Sequence, residues 1–266
     1  MYGAARRLFT AQCAVMFIEL IIPGTAMISI CLTNFNRTSL LFESFAQVLD
    51  DPRITDIVIV DDHSSERTIM EINRMLSELP AHREKIRFFM NDRNLGCYRN
   101  KREVVSKAIN EWVVLLDSDN RVDKSYLNAL DALPYLHQFT LYQPVFAQPH
   151  FDFRKYSGKL IGANNVAQFV EDPTFTTSLN AANYFVHRDE YLRVWEDCPE
   201  PWTSDSLLQN YNWLNAGNSI YFCPGLEYFH RVEDHGNEEE SHYKKHNHRT
   251  KRGFHEGLIR KLKAMR

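Results

Sequence analysis

Short apolar runs alternate with stretches of helical period through the first half of the chain. Met27-Ile28-Ser29-Ile30-Cys31-Leu32, Ile57-Val58-Ile59-Val60, Ile86-Arg87-Phe88-Phe89 and Trp112-Val113-Val114-Leu115-Leu116 read as buried strands, because apolar residues follow one another without polar alternation. Between them, residues 39–49, 66–79 and 99–109 place apolar side chains at helical spacing; Pro80 closes the second of these. Continuous apolar strands separated by helices predict an α/β fold, with a mostly parallel, Rossmann-like sheet flanked by helices on both faces. The second half, from about residue 134, is less regular. It predicts a helix over 205–216, with Ser204 or Asp205 at its start, and a strand over 218–224.

Ligands of such sheets bind outside the carboxyl ends of the strands. Three successive predicted strands end in polar clusters: Thr33-Asn34-Phe35-Asn36, Asp61-Asp62-His63-Ser64-Ser65 and Asp117-Ser118-Asp119-Asn120. The fold would bring the three together. Two carboxylates repel a diphosphate directly, but they can hold a hard divalent cation that bridges to phosphate oxygens and offsets charge on a leaving group. The purely structural alternative for Asp117-Ser118-Asp119 is an acidic turn. Asp62 could accept a bond from a base or ribose, and Ser64, Ser65 or Asp62 could cap the next helix. Gly96 permits a tight turn after Asn94-Leu95, and Arg99 beyond it could reach an anion; Lys101 and Arg102 read as a solvated basic patch. Asp205 could take the proton of an acceptor hydroxyl, which is a poor nucleophile at neutral pH, or it could cap its helix.

With these residues in place the chain resembles a family 2 glycosyltransferase of the GT-A type. The matching pieces are Ser29 to Asn36, Ile59 to Ser65, Asn94-Leu95-Gly96 with Arg99-Asn100, and Leu115 to Asp119, in matching order and spacing over residues 28–125. A weaker match covers roughly residues 180–232. The resemblance implies an inverting transfer from a nucleotide-sugar donor, commonly a UDP-sugar, to an acceptor hydroxyl in glycan or polysaccharide synthesis, with Mn2+ or Mg2+ as cofactor. It implies that Thr33 and Phe35 line the base and that Asp62 reads it. Arg99 would lie near the donor, Asp117 by the ribose and metal, and Asp119 on the metal. Asp205 takes the place of the catalytic base, and His230 that of a further metal or phosphate contact. Two positions depart from the family pattern. His63 stands where glycine is usual, and Ser204-Asp205 leaves one carboxylate where a pair is common. A non-catalytic nucleotide-sugar binding module is the alternative; a nucleotidyltransferase is disfavoured because Thr33 to Arg37 contains no glycine.

Composition adds limits. The chain has 266 residues, 44% hydrophobic and 24% charged, which fits one soluble domain with a full core. A formal charge of −3 gives no overall attraction to nucleic acid. Five cysteines with no C-x-x-C spacing point away from a disulfide framework and toward a reducing, cytoplasmic setting. Residues 1–26 form an extension with an apolar run, Leu8 to Ile22, shorter than the about 20 residues a membrane span needs. It reads as an amphipathic helix or an upstream start, with a signal peptide as the alternative. The domain is expected over 27–235, with a donor half to about 133 and an acceptor half beyond. Residues 236–266 read as a basic helical tail packed by Phe254, Leu258, Ile259 and Leu262; weak attraction to an anionic membrane surface or to a diphosphate-bearing acceptor is the other reading. Most of the histidines of this region, which include His235, His242, His246, His248 and His255, read as surface residues; His242-x-x-x-His246 could chelate a metal on a helix, but so many histidines give that spacing by accident.

Overall fold

The structure, a computed structural model, describes residues 26–198, 204–231 and 249–265. The N-terminal extension before residue 26, most of the segment around Trp202, and His235, His242, His246 and His248 lie outside the described residues.

The first half of the chain follows the predicted alternation: β1 (Ile28–Asn34), α1 (Thr38–Phe45), β2 (Ile54–Asp61), α2 (Glu66–Ser77), β3 (Ile86–Met90), α3 (Cys97–Ser106) and β4 (Trp112–Asp117). Then come β5 (Asn120–Arg121), α4 (Lys124–Asp131), β6 (Thr140–Gln148), β7 (Phe151–Asp152), β8 (Leu160–Ile161), α5 (Pro173–Leu179), β9 (Phe185–His187), α6 (Arg188–Val194), α7 (Asp205–Asn215), β10 (Ser219–His230) and α8 (Arg249–Lys263). The strands form one sheet in the order β3-β2-β1-β4-β9-β6-β10-β5, with β7 beside β6 and β8 beside β10. Strands β3, β2, β1 and β4 are mutually parallel, β9 is antiparallel to both its neighbours, and β10 runs parallel to β6.

Alternate side chains of each central strand enter separate cores, which is why the runs are apolar without interruption. Ile30, Leu32, Ile57, Ile59, Val114 and Leu116 pack with Leu41 and Phe45 of α1, Ile72 and Leu76 of α2 and Tyr126 of α4. Cys31, Val58, Val60, Val113 and Leu115 pack on the other face with α3, α5, α6 and α7. That second core also takes Leu258 and Leu262 from α8, at 3% and 0% exposure. Burying those two side chains contributes on the order of 4 kcal/mol. The C-terminal stripe therefore packs as a structural helix, as its apolar spacing predicts. Among the described residues no helix is long and apolar enough to cross a membrane.

Strand β10 runs further than its apolar pattern predicts. Pro224 and Gly225 (φ +74°) produce a register shift against β6 between Cys223 and Glu227, after which pairing resumes. The resumed portion pairs Phe229 and His230 with Arg121 and Asn120 of β5, immediately beyond the Asp117-Ser118-Asp119 (D-x-D) turn.

Candidate active site

The carboxyl ends of β1, β2 and β4 open into one cleft of about 1000 Å³, lined by Thr33, Phe35, Asp62, Asp117, Asp119, Asp205 and His230. Seven of the eight residues singled out from the sequence thus share one concavity. Arg99 is the exception and corrects the expectation. The inward face of α3 carries Tyr98, Asn100, Lys101, Val104 and Val105. Arg99 points off that face and forms a two-point pair with Asp197, 2.7 and 3.0 Å away at the surface.

The same helical geometry corrects the reading of Lys101 as a solvated residue. It is 5% exposed, with Nζ 2.7 Å from Asp205 Oδ2, 3.2 Å from Asp117 Oδ1 and 3.4 Å from Ser206 Oγ. Burial alone would pull its ammonium toward the neutral form, but Asp117 and Asp205 hold its pKa well above the ordinary value. Asp119 has its own cation, Arg37, at 2.5 Å. Neither basic residue carries a motif that marks it. Lys101 could have been found by continuing the helical spacing through Val104 and Val105.

Backbone carbonyls hold the D-x-D turn. Ser44 Oγ of α1 donates to the Ser118 carbonyl at 2.8 Å, and Arg231 Nε donates to the Asp119 carbonyl at 2.8 Å. Arg231 also reaches the Leu40 carbonyl at 2.9 Å and pairs with Glu43, so it ties the turn to α1. On the other side, the Asp117 amide donates to Asn183 Oδ1 at 2.9 Å, and Tyr126 Oη donates to the Asn183 carbonyl at 3.0 Å. Asn183 is 2% exposed with φ +74°, a left-handed conformation that Asn tolerates better than most residues.

Asp62 is 3% exposed and accepts from Asn91 Nδ2 (2.9 Å), Leu95 N (2.8 Å) and Gly96 N (2.8 Å). An ionised carboxylate offers about four acceptor sites, so about one remains for a ligand. Its first task is to fix the 91–96 loop from which α3 starts. Asn100 completes that attachment, donating to the Val60 carbonyl at 3.1 Å. His63, standing where glycine is usual, has φ +67°, so the turn keeps a glycine-like conformation with a side chain on it. Asp61 secures the turn by accepting from Ser64 N at 2.7 Å and Ser64 Oγ at 2.6 Å, and Ser65 is the residue that caps α2.

Asp205 is the first residue of α7 and does not cap it; Ser204 precedes it without a side-chain capping bond. Its carboxylate is directed to Lys101 and is 6% exposed. Ser204 Oγ lies 3.1 Å from His255 Nδ1 of α8, and His255 lines the cleft. The C-terminal helix thus contributes a wall of the site, which corrects the surface reading of that histidine. His230 Nδ1 lies 3.0 Å from Asn120 Oδ1, and its ring stands 5.1 Å from Phe151 and 5.8 Å from His150. Burial pushes the pKa values of both His230 and His255 down, against the opposing field of Asp119 on the first and of Glu256 on the second, so both favour the neutral form.

Among the described residues no three His, Cys, Asp or Glu side chains stand together as a metal cluster. The four cysteines among them form no disulfide with one another.

The sheet order, the antiparallel β9 within it and the cleft at the strand ends define a GT-A fold. A family profile described as Glycosyl transferase family 2 matches residues 29–151. No curated protein matches. Among solved structures, the chain is similar to the mannosyltransferase PcManGT from Pyrobaculum calidifontis in complex with GDP-Man and Mn2+. Identity is 14% and the TM-score 0.55, over 83% of this chain and 61% of that one. It is also similar to S. aureus TarS 1–349 in complex with UDP, with 16% identity and a TM-score of 0.54 over 77% and 60% of the two chains. GalNAc-T7 with UDP, GalNAc and Mn2+ is similar at 14% identity, with a TM-score of 0.62 over 82% and 46%. At these identities the likeness establishes the fold. The chain spans less than two thirds of the length of each of these structures.

Proposed function

We propose that this protein transfers a sugar from a nucleoside-diphosphate donor, a UDP-sugar in the first instance, to an acceptor hydroxyl with inversion at the anomeric carbon. The observation that carries the reading is the single cleft shared by Thr33, Phe35 and Asp62 on one side, the two D-x-D carboxylates at its centre and Asp205 on the other. Base and ribose would lie against Thr33, Phe35 and the remaining acceptor site of Asp62. Asp205 takes the acceptor hydroxyl proton as that oxygen attacks from the face opposite the leaving diphosphate.

The residues present fit a divalent cation. Asp117 and Asp119 both face the cleft as hard oxygen donors, and a bound cation would share their oxygens with the side chains now paired to them, Lys101 and Arg37. The Asn120 bond at His230 Nδ1 is of the kind that orients a ligating imidazole and leaves the other ring nitrogen for the cleft. Mg2+ or Mn2+ would be held by Asp119, Asp117 and donor phosphate oxygens, with His230 adjoining, and would supply Lewis-acid neutralisation of the departing diphosphate. Arg37 lines the cleft and takes the role expected of Arg99, a cation beside the phosphates.

The test is Asp205→Asn, assayed for release of UDP from UDP-sugars in the presence of acceptors and for UDP binding by calorimetry. Transfer should fall about 10²- to 10⁴-fold while UDP binding stays unchanged. Full transfer by the variant would remove Asp205 from the base role. UDP binding without diphosphate release in the wild type would instead support a binding module.

A further inference from the structure

We infer that Lys101 is a positioning residue that sets the orientation of the Asp205 carboxylate and ties it to the donor-side carboxylate Asp117; this rests on the glycosyltransferase reading above. Asp117 ends β4 and Asp205 begins α7, two elements that share no backbone pairing. Lys101 bridges them from a third element, α3. Its ammonium donates to Asp205 Oδ2 and Ser206 Oγ and forms an ion pair with Asp117 Oδ1. Cys97 on its own helix and Tyr184, Tyr191 and Tyr228 from the surrounding elements lie within electrostatic reach of it. Among the described residues no other basic side chain forms an ion pair with either Asp117 or Asp205.

The consequence for chemistry is directional. With Oδ2 of Asp205 held by Lys101, Oδ1 is the oxygen presented to the acceptor. The acceptor O–H bond breaks and its proton goes to Asp205 Oδ1. The oxygen pair forms the new bond to the anomeric carbon, and the bond to the diphosphate breaks with its electrons on the leaving group. Lys101 keeps all its protons throughout. It also keeps the buried Asp205 and the partly exposed Asp117 from facing one another without a countercharge, and breaking the buried Lys101–Asp205 pair by removing one partner is strongly destabilising. The register of α3 decides all of this, and Asp62 fixes that register through the 91–96 loop.

The experiment is a double-mutant cycle on the full chain, with Lys101→Met, Lys101→Arg, Asp205→Asn and Lys101→Met/Asp205→Asn. It reads UDP release from UDP-glucose, UDP-galactose and their N-acetylhexosamine counterparts, UDP binding with Mn2+, and the thermal midpoint. Lys101→Met should lower kcat about 10²-fold with donor KM within threefold, as expected for a disturbed general base. Lys101→Arg should recover at least tenfold of that loss. In the Asp205→Asn background Lys101→Met should change kcat by less than twofold, because its effect passes through the carboxylate. The double variant should also regain the thermal midpoint that Lys101→Met loses, which keeps the test valid if the single variant folds poorly. Multiplicative losses in the double variant overturn the inference, as does a loss that falls on donor KM with kcat unchanged. A wild type that neither binds UDP nor releases it sinks the glycosyltransferase reading itself, whereas failure confined to the Lys101 arms sinks only this inference.

Discussion

The guanidinium of Arg37 lies 2.5 Å from the carboxylate of Asp119, so the residue assigned to the metal already carries a positive partner. A cation and Arg37 compete for the same oxygen. Because the pair is partly exposed, its own strength is modest, about 1 kcal/mol or less. Arg37→Ala should therefore raise the affinity for Mn2+ in the absence of nucleotide by about threefold to fivefold, measured by calorimetry. Weaker Mn2+ binding in the variant would mean that Arg37 supports the metal site rather than occupying it.

Asp62 holds the loop that starts α3. Asp62→Ala leaves the amides of Leu95 and Gly96 and the Asn91 side chain without their acceptor, and each unsatisfied buried donor costs about 1–3 kcal/mol. Urea denaturation should show a loss on the order of 3 kcal/mol, independent of any nucleotide. If stability is unchanged and only UDP affinity falls, Asp62 serves the ligand and not the loop.

His63 sits at φ +67°, where an L side chain costs about 1–2 kcal/mol and glycine costs chain entropy of about 0.5–1 kcal/mol. Relief should exceed the entropy term. His63→Gly should stabilise the protein by about 0.5–1 kcal/mol in the same denaturation experiment, and His63→Ala should not. A His63→Gly protein no more stable than the wild type would show that the contact of His63 Nδ1 with the Asn91 carbonyl, 3.3 Å long, matters more than the strain.

His187 is half-buried, with Nδ1 lacking a hydrogen-bond partner and its ring edge-on to Trp112 at 5.3 Å. Burial lowers its pKa and outweighs the opposing fields of Asp189 and Glu111. A histidine with a depressed folded pKa favours the fold while neutral. Its contribution is complete above the unfolded value near 6.5 and is lost as the pH falls toward the folded pKa. Stability should decline between pH 7.5 and 5.5, and the decline should be shallower in His187→Phe. Identical slopes in the two proteins would assign the pH dependence elsewhere.

The alternation of apolar runs was enough to place β1 to β4 and α1 to α3, because a strand buried on both faces leaves an uninterrupted hydrophobic signature. The same logic located Thr33, Asp62, Asp117 and Asp119, since strand ends in a parallel sheet converge by topology alone. Asp205 read from the sequence equally as a proton acceptor or a helix cap, and the family resemblance tipped it to the first; the helix it begins has Ser204 at its cap position with no side-chain capping bond. The extension of β10 beyond Pro224 was not legible, because a proline and a glycine read as a stop and only pairing with β6 and β5 carries the strand on.

By itself, then, the sequence determined the fold class, the succession of elements and the line of acidic residues along the sheet, because each is written in local spacing. Which cation meets which carboxylate was decided only in three dimensions. Lys101 turns inward and Arg99 outward because α3 docks through Tyr98, Val104 and Val105, and Arg37 reaches Asp119 because the chain turns after β1 toward the end of β4. His255 enters the cleft because α8 packs on α7 through Leu258 and Leu262. Charge pairing across distant segments depends on packing that no local pattern encodes.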